Sequence, residues 1–183
     1  MIGIVGAFLI WRVGMELVDW FGARRRLETI RKFAKPSEDG RQRIVPSDIP
    51  FAFTSGLVWP TVYLSAGLVE QLDGRSRSVV ESHESFHARW RHGTVNLAVR
   101  VASVFLTPGA REWLLSELAL SFEQISDRHA ARTVGDQLTV AETILEVERL
   151  AGQQVDEERG GRSGAGAGDG DIERRVRSIL DDK

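Results

Sequence analysis

The stretch His83-Glu84-Ser85-Phe86-His87 sets two histidines four residues apart, with a glutamate directly after the first. On a helix that spacing puts both imidazoles on one face, about one turn apart. Two imidazoles so placed can share one zinc ion, and the glutamate between them can reach a water beside it. Three fixed positions recur by chance in roughly one of a few hundred chains of this length. The rest of the chain must therefore supply a helix, a third ligand and a wall for substrate.

Composition narrows the chemistry. A length of 183 residues suits one domain with appendages. Basic and acidic residues nearly balance, 24 against 26, so nucleic acid is not an expected partner. There is no cysteine, which excludes disulfides, thiolate zinc sites and a cysteine nucleophile. Any metal must be held by histidine and carboxylate, and two of the four histidines lie in the motif.

Around the motif, Ser78-Val79-Val80-Glu81 has capping-box spacing and predicts a helix from there to about Arg91, with Gly93 as its stop. An apolar helix over 95–106 follows, too short to span a bilayer. Thr107-Pro108 opens a long helix that ends at Gly135, and a last core helix covers about 139–150. Upstream, residues 43–45, 51–54 and 61–64 read as short strands bounded by Pro46, Pro50, Gly56 and Pro60, and Ser65 can cap a helix over 66–72. The expected class is α+β, mainly α, with a small sheet.

The N-terminus is apolar from residue 2 to 21, interrupted by Arg12, Glu16 and Asp19 on one helical face and followed by Arg24-Arg25-Arg26. It predicts a membrane-associated helix that spans or re-enters the bilayer or lies in its interface, with an ordinary soluble helix as the remaining alternative, continuing as a polar helix to Lys35. If it spans, the arginines place the rest in the cytoplasm. Residues 153–170, rich in glycine and charge, read as a flexible linker, and 171–180 as a short helix. The organisation expected is a membrane-associated helix over 1–26, a main domain over 27–152, the linker, and a C-terminal helix within 171–183.

A zinc site with two histidines needs a third protein ligand if one position is to stay open for water. His92, nine residues after His83, falls half a turn out of phase on the same helix and should point away. Glu123 is the better candidate. It shares a face of the long helix with Asp127, along a stripe of small residues, Ser116, Ala119, Ser126 and Ala130, that would let two helices approach closely. Asp127 can accept the second ring proton of a ligand histidine. His129 projects to another side and reads as a surface histidine.

Taken together, these residues resemble the BlaR/MecR-type antirepressor membrane metallopeptidases, over about 51–150 with a weaker echo at 174–180. Gly56-Leu57-Val58-Trp59-Pro60-Thr61-Val62-Tyr63-Leu64 is similar to the family's first strand and Gly67-Leu68-Val69 to the short helix after it. His83 to His87 matches its metal motif, Val95-Asn96-Leu97 the tripeptide that follows, Thr107-Pro108 its Asn-Pro, and Glu123 to Asp127 its Glu-x-x-x-Asp. The related HtpX/Ste24-type peptidases share the two metal motifs. Departures are the single N-terminal candidate helix, the lack of room for a sensor domain, and His92 where the family often has Asp.

The resemblance implies a zincin-like fold, a gluzincin. It also implies a zinc endopeptidase at the bacterial inner membrane with its peptidase domain in the cytoplasm, acting on a protein substrate such as a repressor or the chain itself. His83, His87 and Glu123 would bind zinc, Glu84 would act as general base and Asp127 would orient a ligand histidine. Substrate would add to the sheet edge near 61–64. Tyr63, Arg128 and His129 are the weak candidates for stabilising the oxyanion. The competing readings are a non-catalytic zinc-stabilised membrane adaptor and a fragment of a larger sensor with Met1 an internal start. An intact Glu84 favours the enzyme.

Overall fold

The computed structural model describes residues 2–158 and 169–181. It is mainly helical, with one small mixed sheet. Helix α1 covers Ile2–Phe33 without a break, so the apolar and polar segments of the N-terminus form one rod about 48 Å long at 1.5 Å per residue. Among the described residues no helix is long and apolar enough to cross a membrane. Helix α1 is tied down at its middle and near its C-terminal end. Glu16 receives Arg100 and Arg111, and Ile30 packs beside Ala34 and Val45.

Four strands follow, β1 (Lys35–Pro36), β2 (Gln42–Val45), β3 (Ala52–Ser55) and β4 (Thr61–Ser65), in the spatial order β1-β2-β4-β3. β4 lies between a parallel β2 and an antiparallel β3, and Val62, Tyr63 and Leu64 are almost fully buried. Its β-branched and aromatic residues suit that central position. The edge next to the motif is therefore β3, not the 61–64 strand expected to receive substrate. Gly56, at φ 126°, makes the turn between β3 and β4, where a side chain would meet the Trp59 carbonyl.

Ser65 caps α2 (Ala66–Gln71), its Oγ accepting from Leu68 N at 3.1 Å and Phe51 N at 2.9 Å. Helix α3 covers Gly74–Arg89. It starts five residues earlier than the Ser78 capping box suggests, because Asp73 takes the cap and accepts from Ser76 N at 2.7 Å. Ser78 instead donates to the Gly74 carbonyl from inside the helix. Helix α4 covers His92–Ala102 and runs into a 3₁₀ turn, Ser103–Phe105. It begins three residues before the expected start at Val95, so Gly93 lies inside a helix rather than stopping one.

Helix α5 covers Pro108–Val134, with Thr107 at the cap position and Gly135 at φ 75° closing its end. Thr107 makes no side-chain capping bond. Helix α6 covers Gln137–Glu158, six residues into the expected linker, where Gln153, Gln154, Asp156, Glu157 and Glu158 continue the helix past Gly152. The rest of that linker, 159–168, lies outside the described residues. Helix α7 covers Asp169–Leu180 and belongs to the main body. Ile179 is fully buried with Val79, Ala130, Ala131, Val140 and Ile144. Helix α1 runs unbroken through residue 26, and α7 packs against α3, α5 and α6.

Candidate metal centre

Helix α3 lies between the sheet and α5, and Val79 and Val80 anchor it on both sides. His83 and His87 follow one and two turns later, so burying the valines turns both imidazoles toward α5. Across from them, Glu123 and Asp127 occupy successive turns of α5. Close approach there depends on Ser126 and Ala130, both fully buried. Ser116 and Ala119, the other half of the small-residue stripe, are exposed and take no part.

His83, His87 and Glu123 are brought together and could hold a metal ion. His83 Nε2 lies 3.0 Å from His87 Nε2 and 3.3 Å from Glu123 Oε2, and His87 Nε2 lies 3.4 Å from Glu123 Oε1. A tetrahedral ion with ligands at about 2.05 Å has ligand atoms about 3.35 Å apart. The separations of 3.0, 3.3 and 3.4 Å, the last two to different oxygens of Glu123, are close to that value, and a further position is left to a non-protein ligand.

Each histidine is held from behind. His83 Nδ1 donates to Asp127 Oδ1 at 2.8 Å, and Asp127 is 1 % exposed. His87 Nδ1 meets His92 Nδ1 at 2.8 Å. With Nε2 facing the ligand set, Nδ1 of His87 carries the proton and His92 accepts it. His92 is buried and stacked on Phe122, centroids 4.1 Å apart and planes 8° off parallel. It does not point away. Helix α3 ends at Arg89, and Arg91 takes the left-handed conformation at φ 51°, which turns the chain back and lays His92 beside His87.

Glu84 is fixed from the sheet. Thr54 Oγ1, on the edge strand β3, lies 2.8 Å from Glu84 Oε2 and 2.9 Å from the Glu84 carbonyl. Burial raises the Glu84 carboxyl, against the lowering effects of His83 and Thr54. That moves it toward the range of a working base. Burial also works against a charged His83, but Asp127 and Glu123 outweigh it and push His83 up to about 9. Burial, together with the charge on His83, pushes His87 down to about 4. Glu123 and Asp127 stay below their ordinary values despite burial, because His83 and Arg175 face both. In the metal-free chain the centre therefore holds one charged histidine, one neutral histidine and two carboxylates.

A cleft of about 360 Å³ opens onto the centre. One wall is β3 and the turn after it, another is the end of α3 with Arg91, and Trp20 and Leu27 of α1 close a third. None of the three weak oxyanion candidates lines it. Tyr63 is buried and stacked on Phe53 at 5.1 Å, Arg128 donates to the Gln124 carbonyl, and His129 lies against Phe86. Sequence reasoning missed three contributors. His92 reads as pointing away when α3 is extended in a straight line past Arg89, and the left-handed Arg91 that redirects the chain carries no sequence signal. Thr54 and Arg175 carry no local signal, since only tertiary packing brings them to the centre.

No protein-family model, curated protein or solved structure matches the chain.

Proposed function

We propose that the chain is a membrane-associated zinc endopeptidase, as its resemblance to the antirepressor metallopeptidases implies. The observation that carries the reading is the convergence of His83, His87 and Glu123, with the two Nε2 atoms 3.0 Å apart and each within 3.4 Å of a Glu123 oxygen, directly beside a buried glutamate. A donor set of two imidazoles and one carboxylate with an open fourth position is that of catalytic zinc. Zinc held there supplies Lewis acidity toward a carbonyl and a water. Glu84 takes the proton of the attacking water and delivers it to the leaving amine. Thr54 keeps one of its oxygens in place. Asp127 and His92 hold His83 and His87 with Nε2 toward the ion.

An extended polypeptide fits this cleft. The outer edge of β3 is free for main-chain hydrogen bonds, and its residues line the opening together with Glu84. Trp20, Leu27, Leu57 and Pro60 offer apolar surface to a substrate side chain. The purified chain is expected to hold one zinc and to cleave casein or itself. Glu84→Gln is expected to keep the zinc, to keep the bond from Thr54 and to lose about 100- to 10,000-fold in rate, the usual contribution of a general base. If the zinc-loaded wild type and the variant are equally inert, the adaptor reading replaces the enzyme.

A further inference from the structure

Arg175 lies 48 residues after Asp127 in the chain, yet its guanidinium fork closes on that carboxylate. Its Nε donates to Asp127 Oδ2 at 2.8 Å and its Nη2 to Oδ1 at 3.0 Å. The same Nη2 is 3.3 Å from Glu123 Oε2. Asp127 Oδ1 thus serves two donors at once, His83 Nδ1 and Arg175 Nη2. We propose that α7 is a working part of the metal centre, and that Arg175 is a positioning residue that acts on the ligands His83 and Glu123 through these contacts.

A carboxylate that is 1 % exposed with a single partner would be free to rotate or to take up a proton. The bidentate fork removes that freedom, because planar guanidinium and planar carboxylate fit in one arrangement. Asp127 Oδ1 is then fixed toward His83 Nδ1, which leaves the Nε2 lone pair of His83 directed at the ion. Glu123 is held from the same side, so one side chain of α7 sets the position of two of the three ligands. The apolar face of α7 supports this. Ile179 is fully buried, and Ile172 and Val176 pack against the same cluster, which includes Val79, one turn before His83 on α3. Arg174, by contrast, pairs with Glu117 at the surface, where such pairs contribute little.

A guanidinium also repels a metal cation, so charge and position pull in opposite directions. Arg175→Lys separates them, since it keeps the charge and removes the fork. The proposal rests on the zinc reading above, and zinc affinity is measured by competition with a chromophoric chelator. Arg175→Lys is expected to bind zinc at least about tenfold more weakly than wild type, the scale typical of losing a partner behind a metal ligand. In an Asp127→Asn background the same change is expected to cost less than about threefold, because the bidentate route to His83 is already broken and only the longer contact with Glu123 remains to be lost. A Lys variant that binds as wild type does, or an undiminished loss in the Asn background, would overturn the proposal. A second measurement uses wild type only and needs no variant to fold. Adding zinc should slow amide exchange in 171–181 more than in β1 and β2, by reciprocity between metal binding and α7 docking. Equal slowing, or none at α7, would overturn it too. Wild type that binds no zinc at all sinks the metal centre itself, which is a separate outcome.

Discussion

His83 carries the pH dependence of the centre. Its value in the metal-free fold, about 9, lies above the ordinary 6.5. Its pairing with Asp127 and Glu123 therefore stabilises the metal-free fold fully below pH 6.5, and that contribution is lost as pH rises through about 9. Zinc needs the neutral imidazole, so binding at pH 7 must expel one proton from His83. His87, at about 4, is already neutral and gives up none. Calorimetry in buffers of different ionisation enthalpy should return about one proton per zinc at pH 7, with affinity rising about tenfold per pH unit up to the value for His83. Release of two protons, or of none, would contradict this assignment. His92 is the neutral acceptor behind His87. His92→Ala should weaken zinc binding by about 10- to 100-fold, and His92→Asp, which restores an acceptor, should recover most of the loss. That His83, His87 and Glu123 come together as a group that could hold a metal ion was legible in the sequence, because a helix of known period fixes which of its side chains share a face. The residues behind them were not. His92 depends on one left-handed residue, and Arg175 on a contact across 48 positions.

At the scale of elements, α5 was legible to within a residue because Thr107-Pro108 and Gly135 mark its ends with backbone chemistry. The three longer strands were legible for the same reason, since prolines and glycines bound each of them. The ends of α3 and α6 were not. Ser78 offered a plausible cap inside a helix already started by Asp73, and glycine at 152 did not outweigh the good helix formers after it. The short β1 has only a two-residue pairing to define it. The sheet also explains Gly67, at the first turn of α2. A methyl group there would lie 1.9 Å from the Asp48 carbonyl oxygen, while Gly67 N itself donates to Ser47 O at 2.9 Å. Backbone on both sides leaves nothing flexible to yield. Gly67→Ala should cost about 1–3 kcal/mol, the range for overpacking, read as a lower midpoint in urea at unchanged slope. A midpoint equal to wild type would mean that this loop has more room than its contacts imply.

For the whole molecule, α1 is the element with the most exposed apolar surface outside the candidate metal centre. Its packed side meets α4, the 3₁₀ turn and β2, and Glu16 is held there by Arg100 and Arg111. The opposite side carries Ile10, Trp11, Met15, Leu17, Val18 and Phe21, all exposed, and Arg25 is exposed one turn further on. Among the described residues these six form a broad exposed apolar surface along one side of the helix. If the proposed membrane association holds, these aromatic and aliphatic side chains, followed by a run of three arginines, would meet the interface of an anionic bilayer with α1 lying along its surface. Each basic residue near such a surface contributes about 1 kcal/mol, and that part is screened by salt, whereas the apolar part is not. The zinc-loaded chain should therefore float with vesicles containing phosphatidylserine, and added salt should weaken the association without abolishing it. Replacing Trp11, Val18 and Phe21 together by serine should abolish flotation while leaving zinc content unchanged, because none of the three lines the cleft or touches the centre. The cleft wall formed by Trp20 and Leu27 lies on the same helix. A chain seated this way would present its cleft to substrates close to the membrane surface. If the triple variant floats as well as wild type, the outward face of α1 is not the contact and the placement of the cleft relative to the bilayer falls with it.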